Sequence, residues 1–217
     1  MAKRPVYIVS DIKPYCRCKM TDFEYHSGFS LKQKQRNIES LHKSFLAENP
    51  ARKVLEISTK SENLLGISLS AFNLMIRNKQ GEPMFSVETA FQASKVFEKG
   101  GPYIDLLQVS SKMAKRDERL RNSGHIIGFN FKGEEFVSRP KTFFYNWLYI
   151  NALNDNEELA AQVLEFDAFT DIEFNPQKSL NCQAEAAALF VSLKRNNLLD
   201  EALKDKDVFL KTVYFCK

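Results

Sequence analysis

The sequence predicts an α+β fold that is mainly α-helical with a small β-sheet. Segments with helical periodicity dominate the 217 residues, and several of them begin at a residue that can cap a helix. Short runs of β-branched and aromatic residues lie between these segments and predict strands. Hydrophobic residues make up 44% of the chain, which is enough for one sizeable core.

The N-terminal part predicts a strand, a helix and a second strand. PVYIVS (5–10) and KVLEIS (53–58) have the composition of strands. Between them, residues 28–50 show the apolar spacing of an amphipathic helix, and Ser30 with Gln33 matches a capping box.

The middle of the chain predicts a strand pair and two helices. Residues 67–86 predict two strands that turn near 78–81. Residues 85–99 then predict a helix that begins at the N-cap Ser86 and stops before Gly100. Residues 110–124 predict a further capped helix that is densely basic.

The C-terminal half predicts one more strand and three helices. The strand covers 125–133, and the helices cover 141–153, 156–166 and 180–197. The thirteen residues 167–179, which lie between the last two helices, have no helical period. A loop of this length in a compact domain is often functional.

The composition excludes several classes of protein. No run of 18 apolar residues occurs, and no apolar signal-peptide core follows the basic start, so we expect a cytoplasmic protein that does not contact a membrane. We expect the four cysteines to be reduced thiols. The three histidines lie far apart and no glycine-rich phosphate loop occurs, so we expect neither a metal nor a cofactor.

The charge is uneven along the chain. Residues 1–60 carry 12 Lys and Arg residues against 6 Asp and Glu residues, whereas the remainder carries 19 against 21. A basic N-terminal part suits contact with a polyanion such as nucleic acid. A lysine-rich helix face in solvent explains the same charge, and the charge alone favours that explanation.

A polar stripe on the predicted helix 85–99 is the first candidate site. Glu88, Gln92 and Lys95 fall on one helical face, with Lys99 four residues further on. A carboxylate, an amide and an amine on one stripe can form the floor of an active site. Ordinary surface patterning gives the same spacing, because an early glutamate is favoured by the helix dipole.

The predicted loop 167–179 is the second candidate site. Carboxylates beside aromatic rings suit a sugar or nucleobase, where a carboxyl group acts as acid or base and a ring stacks. A loop held by its phenylalanines, with its acids in water, is the alternative. The residues concerned are Asp167, Asp171, Glu173, Phe166, Phe169 and Phe174.

A basic cluster in the predicted helix 110–124 is the third candidate. Arg116 and Arg119, with Lys115, can clamp a diphosphate. They can equally pair with Asp117 and Glu118 in solvent.

Taken in order, four segments resemble the NADAR family, the YbiA-like glycosidase domain. They are LSAFN (69–73), VETAFQASK (87–95), AKRDER (114–119) and DIEF (171–174), and an Ala- and Leu-rich helix follows them. The chain departs from the family pattern at Ala71, Thr89, Phe174 and Asn175. The resemblance covers about residues 66–196. It implies a NADAR-like catalytic domain at 66–217 and a basic, subgroup-specific extension at 1–65 that packs on it.

The resemblance implies hydrolysis of an N-glycosidic bond. One branch of the family removes ADP-ribose from guanine in DNA or nucleotides and acts as antitoxin to DarT-like toxins. The basic N-terminal part favours this branch. The alternatives are an N-glycosidase for small riboflavin-pathway or nucleotide intermediates and a non-catalytic reader of ADP-ribose.

The resemblance also implies roles for single residues. Lys95 would be a nucleophile that forms a Schiff base, Glu88 would move protons, and Gln92 would orient either of them. Asp171 would bind ribose hydroxyls or activate water. In a simpler mechanism, Lys95 acts only through its charge, while Glu88 and Asp171 form an acid/base pair.

The remaining roles concern substrate binding. Phe174 would stack on a base, and Phe72, in the first motif, would also contact the substrate. Arg116 and Arg119 would bind the diphosphate.

Overall fold

The computed structural model describes residues 1–177 and 179–215. It confirms an α+β fold that is mainly helical. The helices are α1 (Leu31–Glu48), α2 (Leu64–Ser68), α3 (Val87–Ala93), α4 (Ser111–Arg116), α5 (Arg119–Asn122), α6 (Phe143–Asn154), α7 (Glu157–Val163), α8 (Gln183–Arg195), α9 (Leu199–Ala202) and α10 (Lys206–Tyr214), with a 3-10 helix at Ile104–Gln108. The strands are β1 (Ala2–Val9), β2 (Cys16–Phe23), β3 (Val54–Glu56), β4 (Met75–Arg77), β5 (Pro83–Ser86), β6 (Lys95–Phe97), β7 (Ile126–Phe131), β8 (Glu134–Val137) and β9 (Ala168–Thr170).

The described strands form three small sheets. The first has the order β2-β1-β9-β3, in which β9 is antiparallel to β1 and parallel to β3. The second is the hairpin β4-β5, and the third has the order β6-β7-β8. Strand β9 lies inside the segment predicted as an irregular loop, and that prediction was wrong there. Three residues are too few to show a strand period, and β9 is defined by its partners.

The helix that carries the polar stripe is shorter than predicted. Ser86 caps α3 as predicted, but the helix ends at Ala93. Lys95 begins β6 instead and pairs with Phe129 of β7. The peptide N–H of Asn130 also donates to the carbonyl of Ser94 at 2.7 Å. The backbone thus satisfies its hydrogen bonds in a sheet, which outweighs a helical side-chain pattern.

Two further predictions need correction. Residues 69–73, expected to begin a strand, form a turn in which the carbonyl of Ser70 accepts from the N–H of Leu74 at 2.8 Å. Residues 110–124 form the two short helices α4 and α5, because α4 ends at Arg116 and the backbone of the C-cap Asp117, with ψ 127°, is not helical.

Helices α6 and α8 form the centre of the core. Nine of the twelve residues of α6 and ten of the thirteen residues of α8 are buried. Aromatic side chains of α6 pack on the third sheet, with the rings of Phe129 and Phe144 stacked at 4.6 Å between centroids. The alanines of α8 have small side chains that allow a close approach to neighbouring elements. This core packs behind the candidate site that is described below.

The first 65 residues share a sheet with the rest of the chain. Strands β1 and β3 flank β9, and α1 covers a second buried cluster that includes Phe45 and Ile172. The division at residue 65 stays a prediction, and this sheet spans it. Cys16, Cys18 and Cys182 carry free thiols, whereas Cys216 lies outside the described residues. Over residues 1–177 and 179–215, no helix has the length and apolar character to cross a bilayer.

Candidate active site

A cavity of about 890 Å³ lies between α3, the third sheet and the segment after β9. Its volume falls in the range of about 300–1,000 Å³ that is common for small-molecule sites. The structure brings six of the eight predicted site residues to its wall. These are Phe72, Glu88, Gln92, Lys95, Asp171 and Phe174.

Helix α3 places Glu88 and Gln92 on one side of the cavity. The hydroxyl of Ser86 accepts from the N–H of Thr89 at 3.1 Å, which fixes the first turn. The N–H of Glu88 donates to the carbonyl of Ala71 at 2.8 Å. Every residue of α3 is buried, so the polar stripe is an interior wall and not a solvated surface.

The three polar side chains form a continuous chain of hydrogen bonds. Lys95 Nζ donates to Gln92 Oε1 at 2.7 Å, and Gln92 Nε2 donates to Glu88 Oε1 at 2.8 Å. The amide of Gln92 therefore connects an amine to a carboxylate. Lys99, on the same predicted stripe, is exposed and is not among the described residues that line the cavity.

The side chain of Lys95 is largely removed from water. Burial lowers the pKa of its ammonium group to about 8, and the positive charge of Lys115 lowers it further, while Glu88 opposes both effects. Its Nζ atom lies 4.8 Å from the centre of the Phe91 ring. A lysine with this pKa has a substantial neutral fraction near pH 8, as a nucleophilic amine requires.

Lys115 is a second cation at the same wall. Its Nζ atom lies 3.5 Å from Glu88 Oε1 and 4.9 Å from the centre of the Phe72 ring. The carbonyl of Phe72 accepts from the hydroxyl of Ser111, at the start of α4, at 3.0 Å. This contact joins the turn of the first motif to the helix that carries Lys115.

Asp171 lines the cavity from the segment directly after β9. Its Oδ1 atom accepts from the backbone N–H groups of Glu173 at 3.0 Å and Phe174 at 3.2 Å. Its Oδ2 atom accepts from Gln183 Nε2 at 3.0 Å. Burial, followed by the nearby Glu56 carboxyl group, raises the pKa of Asp171 to about 8. Asp171 is thus a carboxyl group that can hold a proton at neutral pH.

Arg116 and Arg119 are not among the described residues that line the cavity. The guanidinium of Arg119 bonds Asp105 at 2.6 Å and Asp117 at 2.9 Å, and it lies 4.5 Å from the centre of the Tyr103 ring. Arg116 is exposed at the end of α4. Arg119 thus pairs with Asp117, as in the alternative that the sequence left open, and with Asp105 in place of Glu118.

Three further residues that line the cavity were missed by the sequence analysis. His125 lies directly before β7. Arg139 and Lys141 are cations in the segment between β8 and α6. The basic tetrapeptide SRPK (138–141) was their only signal, and no periodicity points to it. With Lys95 and Lys115, these side chains suit an anionic ligand.

Aromatic rings complete the wall. Such rings offer faces on which a base or a sugar can pack. The phenylalanines at the cavity are Phe72, Phe91, Phe129 and Phe174. A wall with cations, two buried acids and aromatic faces can bind a ligand that has both anionic groups and flat rings.

Comparison with known families assigns the chain. A family model described as DarT1-associated NADAR antitoxin matches residues 2–216. The chain belongs to this family. The match confirms the resemblance found in the sequence, extends it over the first 65 residues and associates this NADAR antitoxin with a DarT1 toxin. The search of curated proteins returned no match.

Proposed function

We propose that this NADAR antitoxin hydrolyses the N-glycosidic bond between ADP-ribose and guanine in DNA and so reverses the modification made by its toxin. The hydrogen-bonded chain from Lys95 through Gln92 to Glu88, buried at the wall of the cavity, carries the proposal. Such a chain offers a neutral amine and a proton acceptor side by side. The family match supplies the link to toxin reversal.

The first step opens the ribose. Attached to the exocyclic amine of guanine, ADP-ribose is a glycosylamine, so its C1′–O4′ bond can break to give an iminium ion, which is a protonated imine. Asp171, whose pKa is raised to about 8, donates its proton to O4′. The ring oxygen becomes a hydroxyl group, and Asp171 becomes a carboxylate.

The second step transfers the sugar to the enzyme. The neutral amine of Lys95 attacks C1′ of the iminium ion and forms a C–N bond, while the electrons of the C=N double bond move to the guanine nitrogen. Glu88 accepts a proton from the attacking nitrogen and returns it to the amine of guanine, which leaves as the C1′–N bond breaks. Lys95 then carries the opened ADP-ribose as a Schiff base.

The last step releases ADP-ribose. Water adds to C1′ of the Schiff base and gives a proton to the Asp171 carboxylate, which restores the acid. The C1′ adduct collapses to an aldehyde and frees Lys95. The net reaction consumes one water and yields guanine and ADP-ribose.

We assign binding of the diphosphate to Arg139 and Lys141, because these two cationic residues line the cavity. The guanidinium of Arg119 is already paired with two aspartates. Phe72 and Phe174 provide aromatic faces for the bases.

The test uses an oligonucleotide that carries ADP-ribosylated guanine. We expect the wild-type protein to remove ADP-ribose, seen as a loss of mass from the strand. With cyanoborohydride present, the imine should be reduced, and the protein should gain the mass of ADP-ribose on Lys95. Lys95→Ala should lose both results, and the matched Lys99→Ala should keep both.

The other outcomes discriminate the alternatives. Release of ADP-ribose without a trapped adduct would mean that Lys95 acts only through its charge, while Glu88 and Asp171 form an acid/base pair. Cleavage only of free ribosylamine nucleotides would identify a small-molecule N-glycosidase. Tight binding without release would identify a reader of ADP-ribose and overturn the proposal.

A further inference from the structure

Glu56 is a buried acid that stands behind the cavity. It ends β3 with 2% of its surface exposed and is not among the described residues that line the cavity. Sequence motifs do not include it, and it comes from the N-terminal part of the chain. Burying a carboxyl group away from solvent costs free energy unless hydrogen-bond partners compensate for the lost water.

Glu56 holds the backbone on both sides of Asp171. Its Oε2 atom accepts from the hydroxyl of Thr170 at 2.6 Å, and its Oε1 atom accepts from the N–H of Ile172 at 2.8 Å. In the sheet, Glu56 is the register partner of Thr170. The side chain thus fixes the residue before Asp171 and the residue after it.

The residue that follows β3 reinforces this arrangement. The N–H of Ile57 donates to the carbonyl of Thr170 at 2.8 Å. The carbonyl of Ile57 accepts from Gln183 Nε2 at 2.7 Å, the same nitrogen that donates to Asp171 Oδ2. The end of β3 therefore sets the place of both Asp171 and its amide partner.

The groups around the two acids provide little positive charge. His42 Nε2 lies 2.8 Å from the Thr170 hydroxyl, and burial lowers the pKa of this imidazole to about 4, so it is neutral. Lys34 pairs with Glu173 at 2.7 Å. The other titratable or polar groups that face Asp171 are neutral at pH 7: Tyr145, Tyr149, Cys182 and Gln183.

We propose that Glu56 is a positioning residue that keeps its own negative charge and thereby holds the Asp171 carboxyl group in the protonated form. The inference rests on the proposed function, in which Asp171 is the acid. It assigns to the N-terminal part of the chain a residue that completes the site.

The two acids differ in their access to the cavity. Burial raises the pKa of Glu56, but both of its oxygens accept from fixed donors inside the protein, which lower that pKa and favour its charge. Asp171 also accepts hydrogen bonds, from two backbone N–H groups and from Gln183, but it lies at the cavity wall, where it can exchange a proton with substrate or water. The Glu56 charge raises the pKa of Asp171, so the proton of the pair resides on Asp171.

The test is a ¹³C NMR titration of the aspartate side-chain carboxyl groups in the full chain, with Asp171→Asn to assign the signal. In wild type, Asp171 should titrate near pH 8. In Glu56→Gln, which keeps the shape and removes the charge, the pKa of Asp171 should fall by about one pH unit or more. Glu173→Gln, which removes an exposed and paired charge, should produce a smaller fall.

Kinetics give a second readout that a merely structural role would not change. The rate of release should decrease at high pH as Asp171 loses its proton. In Glu56→Gln this decrease should move to lower pH by the same amount as the NMR titration.

The outcomes separate the two proposals. An unchanged pKa of Asp171 in folded Glu56→Gln would overturn the inference. The inference would also be overturned if Asp171 of the wild-type protein titrated in the ordinary range of aspartates. That measurement does not depend on the folding of any variant. If Glu56→Gln does not fold, Thr170→Val, which removes a donor to Glu56, should also lower the pKa of Asp171. A wild type that releases no ADP-ribose refutes the proposed function, while the titration still decides the role of Glu56.

Discussion

The two sides of the cavity are built in different ways. On one side, Glu88, Gln92 and Lys95 lie within eight positions of the chain and bond to one another. On the other side, Asp171 depends on Gln183 and Glu56, and Glu56 reaches Thr170 across 114 positions. The first side is local and concerned with proton and bond transfer. The second depends on contacts between distant parts of the chain, so substitutions there should lower the stability of the protein as well as its activity.

The largest effect should come from the local side. Lys95→Ala should lower the single-turnover rate of release by about a thousandfold or more, equivalent to about 4 kcal/mol, because it removes the nucleophile. Lys99→Ala, four positions away and outside the described cavity lining, should retain the wild-type rate. Equal rates in both variants would remove Lys95 from the chemistry.

The next effect should distinguish the sides by stability. Gln183→Leu should lower the free energy of unfolding by about 3 kcal/mol, because it leaves several buried groups without a partner. These are the N–H of Ala71, the carbonyl of Ile57 and Asp171 Oδ2. Gln92→Leu should cost about 1 kcal/mol or less, since water in the cavity can reach Glu88 and Lys95. Urea denaturation measures both, and equal losses would contradict the comparison.

A third effect concerns the charges beside Lys95. Glu88→Gln should lower the rate of release by about a hundredfold, because it removes the proton acceptor. It should also lower the pKa of Lys95, since the Glu88 charge raises it. Lys115→Gln should raise the pKa of Lys95, since that cation lowers it.

On the acidic side of its pH profile, the rate should rise as Lys95 becomes neutral, so the midpoint of this rise should move down in Glu88→Gln and up in Lys115→Gln. NMR of the lysine Cε atoms checks the directions without turnover. Shifts of the same sign would show that the two charges do not act on Lys95 as the structure indicates.

The smallest effect should separate two arginines. Arg139→Ala should raise KM about tenfold, because it removes one charge-assisted contact to the diphosphate. Arg119→Ala should leave KM unchanged, because that guanidinium is already paired with Asp105 and Asp117. If steady-state kinetics showed a raised KM for Arg119→Ala and an unchanged KM for Arg139→Ala, diphosphate binding would be assigned to Arg119 of α5.

Local signals explain what could be predicted from the sequence. Ser86 caps α3, and the turn near 78–81 joins β4 to β5, because both depend on neighbouring residues. The spacing of Glu88, Gln92 and Lys95 brought them together even though the helix ends early, since side chains three and four positions apart remain in reach.

Distant contacts explain what could not be predicted. The three residues of β9 become a strand only between β1 and β3. The role of Glu56 depends on its pairing with Thr170 in the sheet. The role of Arg139 depends on the position of the segment before α6 at the cavity. No pattern of neighbouring residues contains this information.

The central place of β9 has a consequence for synthesis. The ribosome makes β1 and β3 more than 100 residues before β9, the strand that joins them in the sheet. Until residues 168–170 leave the ribosome, both strands have an edge without its native partner, and an unpaired strand edge favours aggregation of the nascent chain. Asp171 and Gln183 follow later still. A chain whose translation stops early therefore has an open sheet and an incomplete site, and a cell is protected only by copies that have been made almost to the end.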